Sequence, residues 1–87
     1  MLVFDFGERR HVILDVYSCK NEKFEIQSAS YELADCSGKI ESQDVCSIYE
    51  HSIDTIVEPK HKGDYMLKIT YKILDETLIE VIGITVM

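Results

Sequence analysis

Apolar and polar residues alternate along several short stretches of the chain, most regularly in its last third. Between residues 64 and 71, four apolar side chains recur at every second position: Tyr65, Leu67, Ile69 and Tyr71. The positions between them are mostly polar, which is typical of an antiparallel strand with one buried face. The pattern predicts a strand here, with those four side chains in the core.

The same period of two predicts a strand nearer each end of the chain. Residues 12–17 are rich in β-branched side chains, and residues 78–86 follow a hairpin turn within 72–77. The predicted inward positions of the first strand are Val12, Leu14 and Val16. In the last strand, the residues that share one face are Ile82, Ile84 and Val86.

A further alternating segment, residues 24–34, changes parity in its middle. The apolar residues from Phe24 stand at even positions, and those from Ala29 stand at odd positions. A β-bulge within residues 27–29 would restore one inward face for the whole strand. Residues 35–39 then predict a hairpin turn, in which Gly38 can take the positive φ that tight turns require.

Two structures are open for residues 40–58. Apolar residues at helical spacing allow a helix over roughly residues 43–57. Many of these residues, however, are β-branched or otherwise poor helix formers, including Ile48, Ile53 and Val57. We favour two short strands, 40–48 and 52–58, joined by a turn at 49–51 and ended by Pro59, which cannot donate to a β-ladder.

The first six residues predict a short edge strand or an ordered arm, followed by a turn at Gly7. Leu2 and Phe4 are too apolar for a free tail, so we expect them to be covered by their own sandwich or by a neighbouring molecule. Tyr49, in a predicted turn, is an aromatic residue of the kind enriched at protein interfaces. Leu2, Phe4 and Tyr49 are therefore the candidate partner contacts.

Gly63 and Tyr65 stand at the start of the strand described first. A glycine in a loop, followed by a tyrosine at the mouth of a strand, is similar to the tyrosine corner of immunoglobulin-like sandwiches, whose phenol closes a loop onto its own backbone. The chain has about seven segments with strand-like patterns, separated by residues that favour turns, and this number is typical of such a sandwich. The sequence predicts one domain over residues 1–87, an all-β, antiparallel, immunoglobulin-like sandwich of about seven strands.

Charge and length narrow the classes of function. The 87 residues include 16 acidic and nine basic side chains, a formal net charge of −7, which opposes binding to nucleic acid. We find neither a run of about 20 apolar residues nor the pattern of a signal peptide, so we expect no membrane partner. The expected location is the cytoplasm or a virion assembled in it.

No catalytic, metal-binding or cofactor-binding motif stands out. The three cysteines, Cys19, Cys36 and Cys46, lack a CxxC pair, and we expect three free thiols. The three histidines are not at ligand spacing. Residues 60–62 form a small basic cluster that we interpret as a solvated loop. We therefore predict a protein that is not an enzyme and holds no cofactor.

The chain resembles small immunoglobulin-like proteins of tailed bacteriophages and prophages. The likeness extends over nearly the whole chain and includes residues 24–33, the Ser37-Gly38-Lys39 turn, and Gly63-Asp64-Tyr65 leading to Asp75-Glu76. Two turn glycines of that pattern are replaced here, one by Leu74 and one by His51.

The resemblance implies a non-enzymatic structural or assembly component of a phage head, neck or tail. We expect it to bind protein, and the apolar segment 1–6 suggests that the partner can be a second copy of the chain. The alternative is a small acidic accessory or regulatory protein that binds a basic protein through its negative surface. Neither alternative involves nucleic acid or a membrane.

Overall fold

The computed structural model describes residues 1–17 and 23–87, and these residues form an all-β sandwich. The strands are β1 (Leu2–Phe4), β2 (Arg10–Asp15), β3 (Ile26–Asp35), β4 (Ile40–Val45), β5 (Ser47–Tyr49), β6 (Ser52–Val57), β7 (Gly63–Ile73) and β8 (Glu76–Val86). No described residue is helical, so the helix considered for residues 43–57 is wrong. The predicted all-β sandwich is confirmed.

The strands form two sheets. Five strands lie in the order β1-β8-β7-β3-β4, and three lie in the order β2-β6-β5. All neighbours are antiparallel except β1 and β8, which run parallel. The expectation of seven antiparallel strands is thus corrected to eight strands with one parallel pair, in an arrangement that corresponds to an immunoglobulin-like sandwich.

The eighth strand arises because the predicted strand 40–48 is divided between the two sheets. At Cys46 the chain leaves β4 and enters β5, and the Cys46 amide still donates to the Ala29 carbonyl at 2.9 Å. The Cys46 thiol lies 3.1 Å from the Thr55 hydroxyl of the opposite sheet. Alternation alone could not show this crossing, because both halves keep strand-like composition.

The core lies between the sheets and follows the predicted alternation. Side chains from both sheets are fully or almost fully buried there: Phe4, Leu33, Ile53, Val57, Tyr65, Leu67, Ile69, Ile84 and Val86. Each such large apolar side chain contributes about 1.5–3 kcal/mol by its removal from water. Val12 and Val16 are buried and Leu14 is half-buried, as the inward positions of β2 require.

Two irregularities shape β3 and β4. The register of β3 against β7 shifts between Ile26 and Ser28, so the bulge predicted within residues 27–29 is confirmed and Gln27 is its extra residue. Gly38 has a φ of 87° in the turn that follows β3, as predicted. A second shift lies between Leu33 and Ala34 and leaves Glu41 as an extra residue in β4.

The N-terminal segment is an edge strand covered by its own sandwich. Phe4 is fully buried in the core, and the Arg10 guanidinium lies 4.6 Å from the centre of its ring. Leu2 is half-buried against the same core. Of the two alternatives for covering these residues, the structure shows the first, and Phe4 as a partner contact is therefore corrected to a core residue.

Candidate interaction surfaces

Tyr65 closes the loop between β6 and β7. Its side chain is only 2% exposed, and its phenol oxygen accepts a hydrogen bond from the His61 backbone amide at 3.2 Å. Gly63, with a φ of 119°, turns the chain into β7 in a conformation that L-residues rarely adopt. This is the contact that a tyrosine corner makes, so Gly63 and Tyr65 have structural positions.

The Glu41 carboxylate joins this corner to β4. One oxygen accepts hydrogen bonds from the Tyr65 hydroxyl and from Nδ1 of His61, both at 2.9 Å, and the other accepts from the Lys60 amide at 3.1 Å. Burial alone would raise the pKa of Glu41, but these hydrogen bonds outweigh it and hold the pKa below its usual value. Burial and the bond to Glu41 raise the pKa of Tyr65.

An open cleft of about 630 Å³ lies at the opposite end of the sandwich. The Phe24 and His51 rings stack there with their centres 4.2 Å apart, and Nε2 of His51 donates to the Phe24 carbonyl at 3.1 Å. The other lining residues come from the segment before β3, from β3 itself and from two hairpin loops: Lys23, Glu25, Gln27, Glu50 and Leu74. The mixture of charges and exposed apolar surface does not select a ligand class.

Both hairpin loops at that end begin with a residue in a left-handed conformation. Glu50 has a φ of 53° and Leu74 a φ of 52°, although neither is glycine. The β5–β6 and β7–β8 loops contain two residues each, so the predicted turns at 49–51 and 72–77 are shorter than expected. The resemblance places turn glycines at Leu74 and His51. Leu74 has a positive φ, whereas in the β5–β6 loop the positive φ is at Glu50 and not at His51.

The outer face of the five-stranded sheet contains a continuous row of apolar residues. One row of register partners runs across β4, β3, β7 and β8 as Ile40, Ala34, Met66 and Gly83. The terminal methyl of Met1 extends this row, since it lies 3.7 Å from the position that a Cβ on Gly83 would occupy. Further exposed apolar side chains on the same face are Val3, Val45, Ile79 and Val81.

The free edges of the two sheets differ in how they are protected. Along β4, the Glu41 carboxylate reaches the β6–β7 loop and the Asp44 carboxylate accepts from the Val45 amide at 2.7 Å. The edges β5 and β1 contain only three residues each. By contrast, β1 pairs with only residues 84–86 of β8. Among the described residues, no strand therefore pairs with the edge of residues 76–83 that faces away from β7.

The remaining polar groups form small exposed pairs. His11 bonds Asp54 at 2.9 Å, and Lys60 of the basic loop bonds Glu58. Within residues 1–17 and 23–87, no three His, Cys, Asp or Glu side chains converge as metal ligands would, and none of these residues belongs to a helix able to cross a membrane. Cys36 and Cys46 are free thiols, whereas Cys19 and most of the loop predicted at 18–23 lie outside the described residues.

The three predicted contact residues differ in how exposed they are. Tyr49 is 77% exposed, although it ends β5 and does not lie in the turn. Leu2 is half-buried, and Phe4 is inaccessible. Sequence reasoning missed Glu41, Met66 and Val81. The alternation of β7 and β8 already places Met66 and Val81 on the face opposite the core, which is the signal that could have found them.

Comparison with known proteins bears on the fold alone. No protein-family model matches the chain, and no curated protein matches it. A crystal structure of an engineered protein, a structural genomics target, is similar over 99% of this chain with a TM-score of 0.78 and 14% sequence identity. This chain corresponds to 18% of the length of that chain. The likeness supports the sandwich fold.

Proposed function

We propose that this protein is a non-enzymatic protein-binding module, a structural or assembly component of the phage or prophage type, that docks through the outer face of its five-stranded sheet. The observation that carries the proposal is the apolar row from Ile40 through Met66 to Gly83 and Met1. Contiguous exposed apolar surface marks interaction sites, because leaving it in water costs free energy that a partner can recover.

The shape of this face favours a broad protein surface as its partner. The row crosses four strands, β4, β3, β7 and β8, and Met1 continues it beyond Gly83. Neighbouring strands lie about 4.8 Å apart, so the part on these four strands extends about 14 Å across the sheet. Lys68 and Glu32, register partners beside the row, supply one charge of each sign. An apolar centre beside charged residues is the usual anatomy of a protein–protein interface.

The second candidate is an acidic accessory protein that binds a basic partner, and the net charge of −7 favours it. The two candidates differ in their dependence on salt. Added salt screens contacts between exposed charges, whereas it leaves apolar contacts intact or strengthens them. Gene neighbours also differ: capsid, portal or tail genes agree with the first candidate, and metabolic or signalling genes agree with the second.

The experiment is co-purification of the tagged chain with the products of its neighbouring genes, with and without added salt. Met66→Glu places a charge at the centre of the apolar row, and Ile13→Glu is the matched control on the smaller sheet, where Ile13 is 61% exposed. We expect Met66→Glu to abolish capture in salt and Ile13→Glu to leave it unchanged. Equal capture by both variants, or loss of wild-type capture in salt, would overturn the proposal.

A further inference from the structure

We infer that two copies of this chain pair edge to edge through β8, antiparallel and centred on Ile79, which joins their larger sheets into one. The inference rests on the proposed protein-binding function and names one of its partners, a second copy. It starts from the unpaired side of residues 76–83, which is more than half the length of β8.

The hydrogen-bonding direction of each β8 residue follows from its hairpin. Ile73 and Glu76 flank a two-residue loop, and such flanking residues form a hydrogen-bonded pair. Hydrogen-bonded and non-hydrogen-bonded pairs alternate from there, so even-numbered residues bond β7 and odd-numbered residues face away. Met87 fits this parity, since it donates to Phe4 and accepts from Phe6 on the outer side. Thr77, Ile79 and Val81 therefore offer their backbone groups to a new strand.

This open stretch lacks the usual protection of an edge. Charged side chains, prolines and very short length normally keep edges from pairing, and β4, β5 and β1 each use charge or shortness. Residues 77–83 contain four apolar side chains and one charge, Glu80. Ile79 and Val81 are 56% and 49% exposed. A second strand would pair the open backbone groups and cover part of the exposed surface of these side chains.

Charge selects one register for a pair of identical strands. With the two-fold axis at Ile79, Glu80 lies opposite Leu78 of the second copy, and Glu76 lies opposite Ile82. An axis at Glu80 sets the two Glu80 carboxylates opposite each other, and an axis at Leu78 sets Glu76 opposite Glu80. Like charges directly opposite one another destabilise a sheet.

Steric limits remove the other registers. An axis at Val81 would bring Thr77 opposite Thr85, where β1 already occupies the edge. An axis at Thr77 would leave Val81 unpaired beyond the hairpin tip of the second copy. The Ile79 register matches Thr77 with Val81 twice and uses the open edge from residue 76 to residue 82, which is why we favour a second copy over an unrelated strand.

Single cysteines test both the partner and the register. In a background with Cys19 and Cys36 replaced by serine, Ile79→Cys brings two thiols together at a hydrogen-bonded pair, with about 5.5 Å between the Cα atoms, within disulfide reach. Thr77→Cys places its two copies about 14 Å apart along the strands. Val45→Cys, on the edge of β4, is the control for chance collisions.

We expect Ile79→Cys to give a disulfide dimer on mild oxidation, in at least tenfold excess over Val45→Cys. Thr77→Cys and Val81→Cys should cross-link with each other when mixed and not singly. If Ile79→Cys does not exceed Val45→Cys, or if Val81→Cys cross-links to itself instead, the inference is wrong.

Light scattering over a concentration series supplies the second measurement. Wild type should shift from monomer to dimer, and Ile79→Pro should remain a monomer with unchanged circular dichroism, because its missing amide faces the open edge and not β7. A wild-type chain that is monomeric at every concentration overturns the edge pairing. The proposed function would survive that result if Met66→Glu still abolished capture of a neighbouring gene product.

Discussion

At one end of the sandwich, side chains join the loops by hydrogen bonds, whereas at the other end two loop residues hold costly backbone conformations. The first end has Glu41, His61 and the buried hydroxyl of Tyr65. The second has the stacked rings beside the cleft and the left-handed residues Glu50 and Leu74. Side-chain hydrogen bonds therefore stabilise the first end, whereas substitutions that remove the left-handed loop residues should stabilise the second end.

Loss of the Tyr65 hydroxyl should have the largest effect. In Tyr65→Phe, the His61 amide and the Glu41 carboxylate lose a partner in a partly buried place, so we expect the free energy of unfolding to fall by about 2 kcal/mol. Urea unfolding measures the change. Tyr71→Phe is the control, because Tyr71 is half-buried and its hydroxyl makes no hydrogen bond to any described residue. We expect this substitution to cost less than about 0.5 kcal/mol. Equal losses would show that the corner adds nothing.

At the opposite end, substitution by glycine should stabilise the protein. A left-handed conformation costs an L-residue about 1–2 kcal/mol, and substitution by glycine removes this cost. The greater flexibility of glycine in the unfolded chain offsets about 0.5–1 kcal/mol of the gain. We therefore expect Leu74→Gly to raise the free energy of unfolding by about 0.5–1 kcal/mol, as measured by urea unfolding.

The neighbouring residue in the same loop provides the control. Asp75 has no positive φ, so Asp75→Gly should lower stability by about 0.5–1 kcal/mol. If both glycine variants are destabilised alike, the strain assigned to Leu74 is absent.

The smallest expected effect is the pH dependence of stability at the end of the sandwich that contains Tyr65 and Glu41. Because the folded pKa of Glu41 lies below its usual value, its contribution is complete above the unfolded pKa and disappears as the pH falls through the folded pKa. The difference in unfolding free energy between wild type and Glu41→Gln should therefore be largest at neutral pH and shrink in acid. Urea unfolding over a pH series measures it, and a difference that grows in acid would contradict the assignment.

The end of the sandwich that contains Tyr65 and Glu41 was only partly predictable from sequence. The Gly63-x-Tyr65 pattern is local, and it gives the position of the tyrosine and its loop. Glu41 lies more than 20 residues earlier and reaches the corner as the extra residue of a bulge in β4. Alternation predicts which residues face a core, but a bulge depends on how two strands are paired, which no single segment encodes.

The open edge was hidden for a related reason. The alternation of residues 78–86 gives the inward face of β8 correctly, yet it cannot show which strand lies beside it. The parallel pairing of β1 with β8 and its length of three residues are long-range features, which no local pattern of residues 78–86 encodes. The unpaired backbone at Ile79 and Val81 follows from that short pairing.

The parallel pairing of β1 with β8 has a consequence for how the chain acquires its fold. Leu2 and Ile84 are paired although about 80 residues separate them in the chain, so this contact has a high entropic cost of loop closure and we expect it to form late in folding. During synthesis, Leu2 and Phe4 remain exposed to water until residues 84–86 have left the ribosome. We expect refolding to show a slow final phase in which Phe4 becomes buried, and nascent chains to be vulnerable to aggregation before it.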